Sequence, residues 1–165
     1  MFSHIYWLVF LTFVFSLCLD AVMVPDWAVL WWPEWTALTT VFWVFTAPRH
    51  FGVVAAWMVG LLSDVLHAQP FGQHALAFAV LAYVSYLVHL RVRVFPLWQQ
   101  CITVFVLLGI GQMVQRTVAG LVGVVTESWW YYLPVVSGAL LWPFILPLLH
   151  GIRRRWVVTE SERSV

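Results

Sequence analysis

Three ionisable residues, Asp20, Asp64 and Arg116, fall inside otherwise apolar stretches of the chain. A charge surrounded by hydrocarbon is costly, so each needs a partner or a task. Asp64 closes a series in which Gly52, Ala56, Gly60 and Asp64 recur at every fourth position. On a helix that spacing gathers three small side chains and one carboxylate on a single stripe. A second series, Gly109, Gln112, Arg116, Gly120 and Gly123, advances by three and four residues and puts a guanidinium on a smooth face of its own. Small-residue stripes let helices approach closely. The two series predict that their helices pack together, with Asp64 paired to Arg116 and Asp20 as a second acceptor. The alternative is that Asp20, Asp64, Gln112 and Arg116 line a polar pocket that holds a ligand or passes protons.

Catalytic readings are weaker. Ser63, Asp64, His67 and His74 are the right types for a nucleophile–base–acid set, yet Ser63 points about 100° around the helix from Asp64 and no G-x-S-x-G elbow occurs. Asp64, His67 and His74 as metal ligands match no strong spacing signature. His67 and His74 are expected to hydrogen-bond at the outer surface instead. The chain has no Walker A motif, no G-x-G-x-x-G and no Cys/His metal frame. An enzyme is not expected, and no cofactor is implied.

What must position these residues is a set of membrane helices. The chain has 165 residues, is 63% hydrophobic and only 9% charged, and has a mean hydropathy of +0.91. A soluble domain of this size cannot hide that much apolar surface, which points to a single all-α polytopic membrane domain. Its candidate spans are residues 5–24, 34–47, 50–67, 73–90, 97–125 and 131–150, followed by a basic, then polar, tail over 151–165 that is expected to be mobile. The first span lacks the basic start and the cleavage site of a signal peptide and is read as retained. Between the first two spans, PDWAVLWWPEW places Trp27, Trp31, Trp32 and Trp35 at headgroup level, where amphipathic rings settle. Span two lies between Pro33 and Pro48, and at 1.5 Å per residue it reaches about 21 Å against a hydrocarbon core of about 30 Å. Either the tryptophan connector completes the crossing or the membrane thins locally. Span five is longer than a crossing needs, so it tilts, breaks at its glycines or projects. Pro143 and Pro147 should kink span six.

Six crossings place the loops on alternate sides. Arg49, Arg91, Arg93, Arg153, Arg154, Arg155 and Arg163 fall on one side, and Asp26, Glu34 and Glu127 on the other with no arginine beside them. The positive-inside rule then puts both termini in the cytoplasm. Arg49, Arg91 and Arg93 are candidate contacts for cytoplasmic partners, although topology alone accounts for them. Cys18 and Cys101 lie toward opposite faces of the membrane and should not pair. No basic patch outside the tail suggests nucleic acid.

The chain resembles a known family, most specifically over residues 33–100. P-x-W before span two, F-W-V-F-x-x-P-R-H around Pro48, G-L-L-S-D-V-L on span three and F-G-Q-H-A-L opening span four look like the core of MreD, the bacterial rod shape-determining membrane protein family. PLWQQ at 96–100 and LLWPFILPLL at 140–149 extend the likeness over nearly the whole chain and are similar to Gram-negative members. The bulky Trp27–Trp35 connector departs from the simplest family pattern. The resemblance implies a multi-pass bacterial inner-membrane scaffold in the machinery that inserts side-wall peptidoglycan and maintains cell shape. It implies MreC as direct partner, with the MreB filament, RodA and an elongation-specific transpeptidase as further associates. It also implies a six-helix fold similar to the substrate-binding subunits of energy-coupling-factor transporters. It carries over no catalytic residues. A second function, binding or transport of a small molecule or lipid precursor, stays open, with Asp64, Gln112 and Arg116 lining its cavity.

Overall fold

A computed structural model describes residues 3–123 and 129–161; the side chains of Ser3, His4, Trp129 and residues 152–161 lie outside that description. Glu127 and Arg163 fall outside the described residues. The described residues are all-helical: α1 (Ser3–Asp20), a short α2 (Asp26–Val29), α3 (Trp35–Thr46), α4 (Val53–Leu66), α5 (Gln73–Val92), α6 (Leu97–Leu121), a 3-10 turn (Trp129–Tyr132) and α7 (Leu133–Ser161).

Three helical stretches are long and apolar enough to cross a membrane: Gln73–Val92, Leu97–Leu121 and Trp130–Gly151. Ile5–Asp20, Trp35–Thr46 and Val53–Leu66 are shorter apolar helices. Large apolar side chains crowd the outside, among them Phe15, Val54, Met58, Leu87, Met113 and Phe144. That is the reverse of a soluble surface and suits contact with lipid.

α3 is the centre. Every residue from Thr36 to Phe45 is buried, as befits a helix that is apolar all round. It packs against α1, α5, α6 and α7, while α4 packs on α5 and α5 on α6. This arrangement corrects the pairing expected from the small-residue stripes. α4 and α6 do not form a packed pair of any size, because α5 stands as the common neighbour of both.

The stripes meet different surroundings. Ala56, Gly60 and Asp64 are buried, and a Cβ at Gly60 would lie 2.5 Å from the Ala75 Cα and 2.6 Å from the His74 carbonyl oxygen. Only glycine admits the α5 backbone this close. Gly52 is the exposed N-cap of α4. On α6, a Cβ at Gly109, Gly120 or Gly123 would meet nothing within 4 Å. No described neighbour packs closely on these three glycines. Gly123 serves as the left-handed residue that ends α6, at φ 86°. The close glycine contact on the α6 side comes from α7, where a Cβ at Gly138 would lie 2.9 Å from the Leu108 Cδ1.

Of the alternatives for span five, a break at its glycines is set aside, since α6 is unbroken to Leu121. α7 runs helical through Pro143 and Pro147 and on to Ser161, so residues 151–161 of the expected tail continue the last helix.

Candidate functional site

The polar residues gather where α1 and α4 end and α3 and α5 begin. A helix N-terminus presents backbone N–H groups with no partner in the helix, and a carboxylate suits them both as acceptor and by charge. Asp20, the last residue of α1, accepts from the backbone N–H of Trp35 at 2.8 Å and of Thr36 at 2.9 Å, and from the Thr36 hydroxyl. Asp64, near the end of α4, does the same for α5. It accepts from the N–H of Gly72 at 2.8 Å and of His74 at 2.7 Å, with Ala75 longer at 3.4 Å. The turn that permits this has Ala68 at φ 50° and Gly72 at φ 99°, so the chain reverses tightly enough to bring α5 back to the residue it left. Asp20 and Asp64 are thus equivalent devices: each lies in the last turn of one helix and caps the next.

The opposite end of α3 is capped by the opposite charge. Arg93 donates from Nε to the Phe45 carbonyl at 2.9 Å and from Nη2 to the Thr46 carbonyl at 3.1 Å. These are orphan carbonyls of the last turn, where a cation also matches the helix dipole. All three candidate cytoplasmic contacts, Arg49, Arg91 and Arg93, are exposed, and Arg93 is also engaged within the fold.

Asp64 has the α5 N-terminus as its partner in place of Arg116. The Arg116 guanidinium lies over the Tyr132 ring, 5.8 Å from its centroid. The expected ion pair fails because backbone N–H groups already fill the carboxylate and α5 separates the two helices.

His74 extends the cluster. Its Nδ1 is 2.9 Å from Asp64 Oδ1, and its Nε2 is 3.8 Å from Glu34 Oε1. Glu34, the N-cap residue of α3, accepts from Gln115 Nε2 at 2.9 Å, and Tyr131 donates to Gln115 Oε1 at 3.4 Å. The His67 ring stacks on His74 at 5.6 Å. A cavity of about 530 Å³ opens here, with Asp20, Trp32, Glu34, Ser63, Gln112 and His74 in its wall. Of the four residues expected to share a polar pocket, Asp20 and Gln112 do so. Asp64 is held behind His74, and Arg116 stands apart.

Glu34, Gln115 and Tyr131 were not among the candidates. Glu34 sits in a tryptophan-rich connector that reads as interfacial, and nothing local ties it to a residue on α6. The available signal was the three-residue step from Gln112 to Gln115, which places two amides on one helical face. Among the described residues, no group of His, Cys, Asp and Glu is arranged to hold a metal ion.

Apolar helices of membrane length, an apolar exterior suited to lipid and carboxylates used as helix caps define a helical membrane protein. The chain belongs to the MreD family: the model described as rod shape-determining protein MreD matches residues 1–152. The rod shape-determining protein MreD of Haemophilus influenzae is 26% identical over 123 residues, covering 74% of this chain and 76% of that relative. No solved structure matches the chain. Membership makes shape determination at a membrane its role and places it in a family named for structure rather than for a reaction.

Proposed function

We propose that the chain is a non-enzymatic, multi-pass scaffold of the bacterial inner membrane that holds MreC within the elongation machinery and so supports side-wall peptidoglycan synthesis. The observation that carries this reading is the family match over residues 1–152. In the proposed topology the six apolar helices all cross, both termini are cytoplasmic and the carboxylate cluster faces the periplasm. The arginine distribution supports that orientation, as does the separation of Asp20 and Arg93 to opposite ends of α3. A six-helix arrangement like the substrate-binding subunits of energy-coupling-factor transporters belongs to the same proposal, as do looser contacts with MreB, RodA and the elongation-specific transpeptidase.

MreC is a single-span protein, and the surface we assign to its span is an apolar groove of about 360 Å³ between α1, α3 and α7. Leu11, Phe15, Leu38 and Leu148 line it. Leu11 and Leu148 are exposed at its rim, and Leu38 forms its floor. An extra helix seated there would cover side chains that α1 and α7 leave open.

The experiment is photocrosslinking from Leu11 and Leu148 in a rod-shaped bacterium depleted of its own copy, with cell shape scored in parallel. Adducts with MreC and restored rods are expected. Restored rods with MreC captured from neither position would remove the groove. Restored rods without any co-purification of MreC would remove the scaffold reading itself.

A further inference from the structure

The cavity at the carboxylate end has more acceptors than its own donors use. Glu34 receives one hydrogen bond, from Gln115, and keeps a quarter of its side chain open to the cavity. The Gln112 side-chain oxygen is buried with no hydrogen-bond partner, and so is the Ser63 hydroxyl; the residues are 6% and 1% exposed. Both line this cavity. A buried acceptor without a donor costs about 1–3 kcal/mol, so two on residues that line one cavity mark a place suited to something that brings N–H or O–H groups. The nearby carboxylate selects for positive charge. The Asp20 oxygens are already occupied by the α3 N-terminus, whereas Glu34 has one hydrogen bond from Gln115 and the His74 Nε2 at 3.8 Å, so Glu34 is the carboxylate of the set with acceptor capacity left.

A metal ion is the simplest cation, but among the described residues no three ligands converge on one point. A primary ammonium fits better. It brings three N–H donors to match the carboxylate, the amide oxygen and the hydroxyl. The remaining wall includes Val29, Trp32 and Pro134, an apolar and aromatic surface suited to the carbon that carries the amine. The volume of about 530 Å³ leaves room for more than that group alone.

We propose that this cavity binds a primary aminoalkyl group, its ammonium held by Glu34, Gln112 and Ser63. The site is independent of the scaffold reading and of the α1–α7 groove. Two sources carry this chemistry: the ethanolamine headgroup of a membrane lipid and a free small amine. Val29 and Trp32 of the tryptophan connector line the cavity, and such rings favour headgroup depth, where both sources can reach.

The test uses the full chain extracted from vesicles holding equal parts of an ethanolamine lipid, its trimethylated choline counterpart and a phosphoglycerol lipid, followed by native mass spectrometry. The trimethylated headgroup keeps the charge and removes every N–H. Retention of the ethanolamine lipid about tenfold above the choline lipid is expected, with the preference abolished in Glu34→Gln and in Gln112→Leu. In a second arm, propylamine is titrated by calorimetry into protein in discs made only of choline and phosphoglycerol lipids. Saturable heat there assigns the site to a free amine; preference in the first arm alone assigns it to the headgroup. Equal retention of the three lipids together with no propylamine binding overturns the proposal. So does a preference that survives in folded Glu34→Gln protein. Because the first comparison varies the lipid and not the chain, it stands even where a variant fails to fold.

Discussion

Replacing Gly60 with alanine asks whether the α4–α5 seam is as close as the geometry requires. In the middle of a helix this substitution ordinarily stabilises by about 0.5–1 kcal/mol, because alanine has less backbone freedom to lose. At Gly60 the new methyl would sit 2.5 Å from the Ala75 Cα, 2.6 Å from the His74 oxygen and 2.7 Å from the Ala75 nitrogen. Ordinary carbon contacts are at about 3.5–4.0 Å, so the overlap is roughly 1 Å against three atoms of main chain. Main chain cannot turn aside as a side-chain tip can, and α4 must lift from α5 as a unit. Overpacking of this kind costs about 1–3 kcal/mol. Set against the helix gain, Gly60→Ala should lose up to about 2.5 kcal/mol. The same lift would loosen the Asp64 hydrogen bonds to Gly72 and His74, one turn further along α4. Gly109→Ala is the control, since nothing lies within 4 Å of the added methyl. It should gain about 0.5–1 kcal/mol. Thermal unfolding in one detergent, followed for both variants beside the parent, reads two shifts of opposite sign. A gain at Gly60, or a loss at Gly109 equal to that at Gly60, would refute the assignment of the tight seam to α4 and α5.

Asp20→Ala leaves the N–H groups of Trp35 and Thr36 unsatisfied and should lower stability by about 1–3 kcal/mol in the same unfolding assay; Asp20→Asn, which keeps one acceptor oxygen, should lose less. Arg93→Ala removes both donors to the last carbonyls of α3 and should cost about 1–2 kcal/mol, whereas Arg91→Ala at an exposed position should stay within about 0.5 kcal/mol of the parent. The exchange Asp64→Arg with Arg116→Asp should be no more stable than Asp64→Arg alone, because the partner of Asp64 is backbone. Rescue by the second change would restore the ion pair as the better account.

The helices were legible because their signals are local. Pro33, Pro48 and Pro96 stand just before or after helices at Trp35–Thr46 and Leu97–Leu121, and the apolar runs between them leave little choice of state. The stretch from Gly52 to Asp64 was legible as a face, and Ala56, Gly60 and Asp64 do share a buried side of α4. What it faces was not legible. A carboxylate in an apolar run invites a search for a cation, and Arg116 was the one arginine within a span. The group that binds Asp64 is the N-terminus of α5, made of N–H groups that every residue but proline carries and that no residue type advertises. The same blindness hid the partner of Asp20 and the task of Arg93. The α6 glycines misled for a related reason: a stripe of small residues records that an approach is permitted, and only the packing decides whether a helix makes it.

Those caps also answer how so short a helix as α3 can sit in the middle of the bundle. Its 12 residues rise only about 18 Å, well short of a hydrocarbon core of about 30 Å. A lipid-facing helix of that length would leave both sets of terminal N–H and C=O groups in an apolar medium. In α3 the fold itself meets this need. All of its side chains from Thr36 to Phe45 are buried against other helices, so protein and not lipid meets its ends. At those ends the protein supplies Asp20 to the donors and Arg93 to the acceptors, each with the sign the helix dipole favours. The two charges come from helices on either side in the chain, α1 and the end of α5. The centre of the fold is therefore set only once both neighbours are in place. On this account the half-buried Asp20 and the buried Asp64 are chiefly architectural, and the chemistry left over for recognition is the smaller set around Glu34, Gln112 and Ser63.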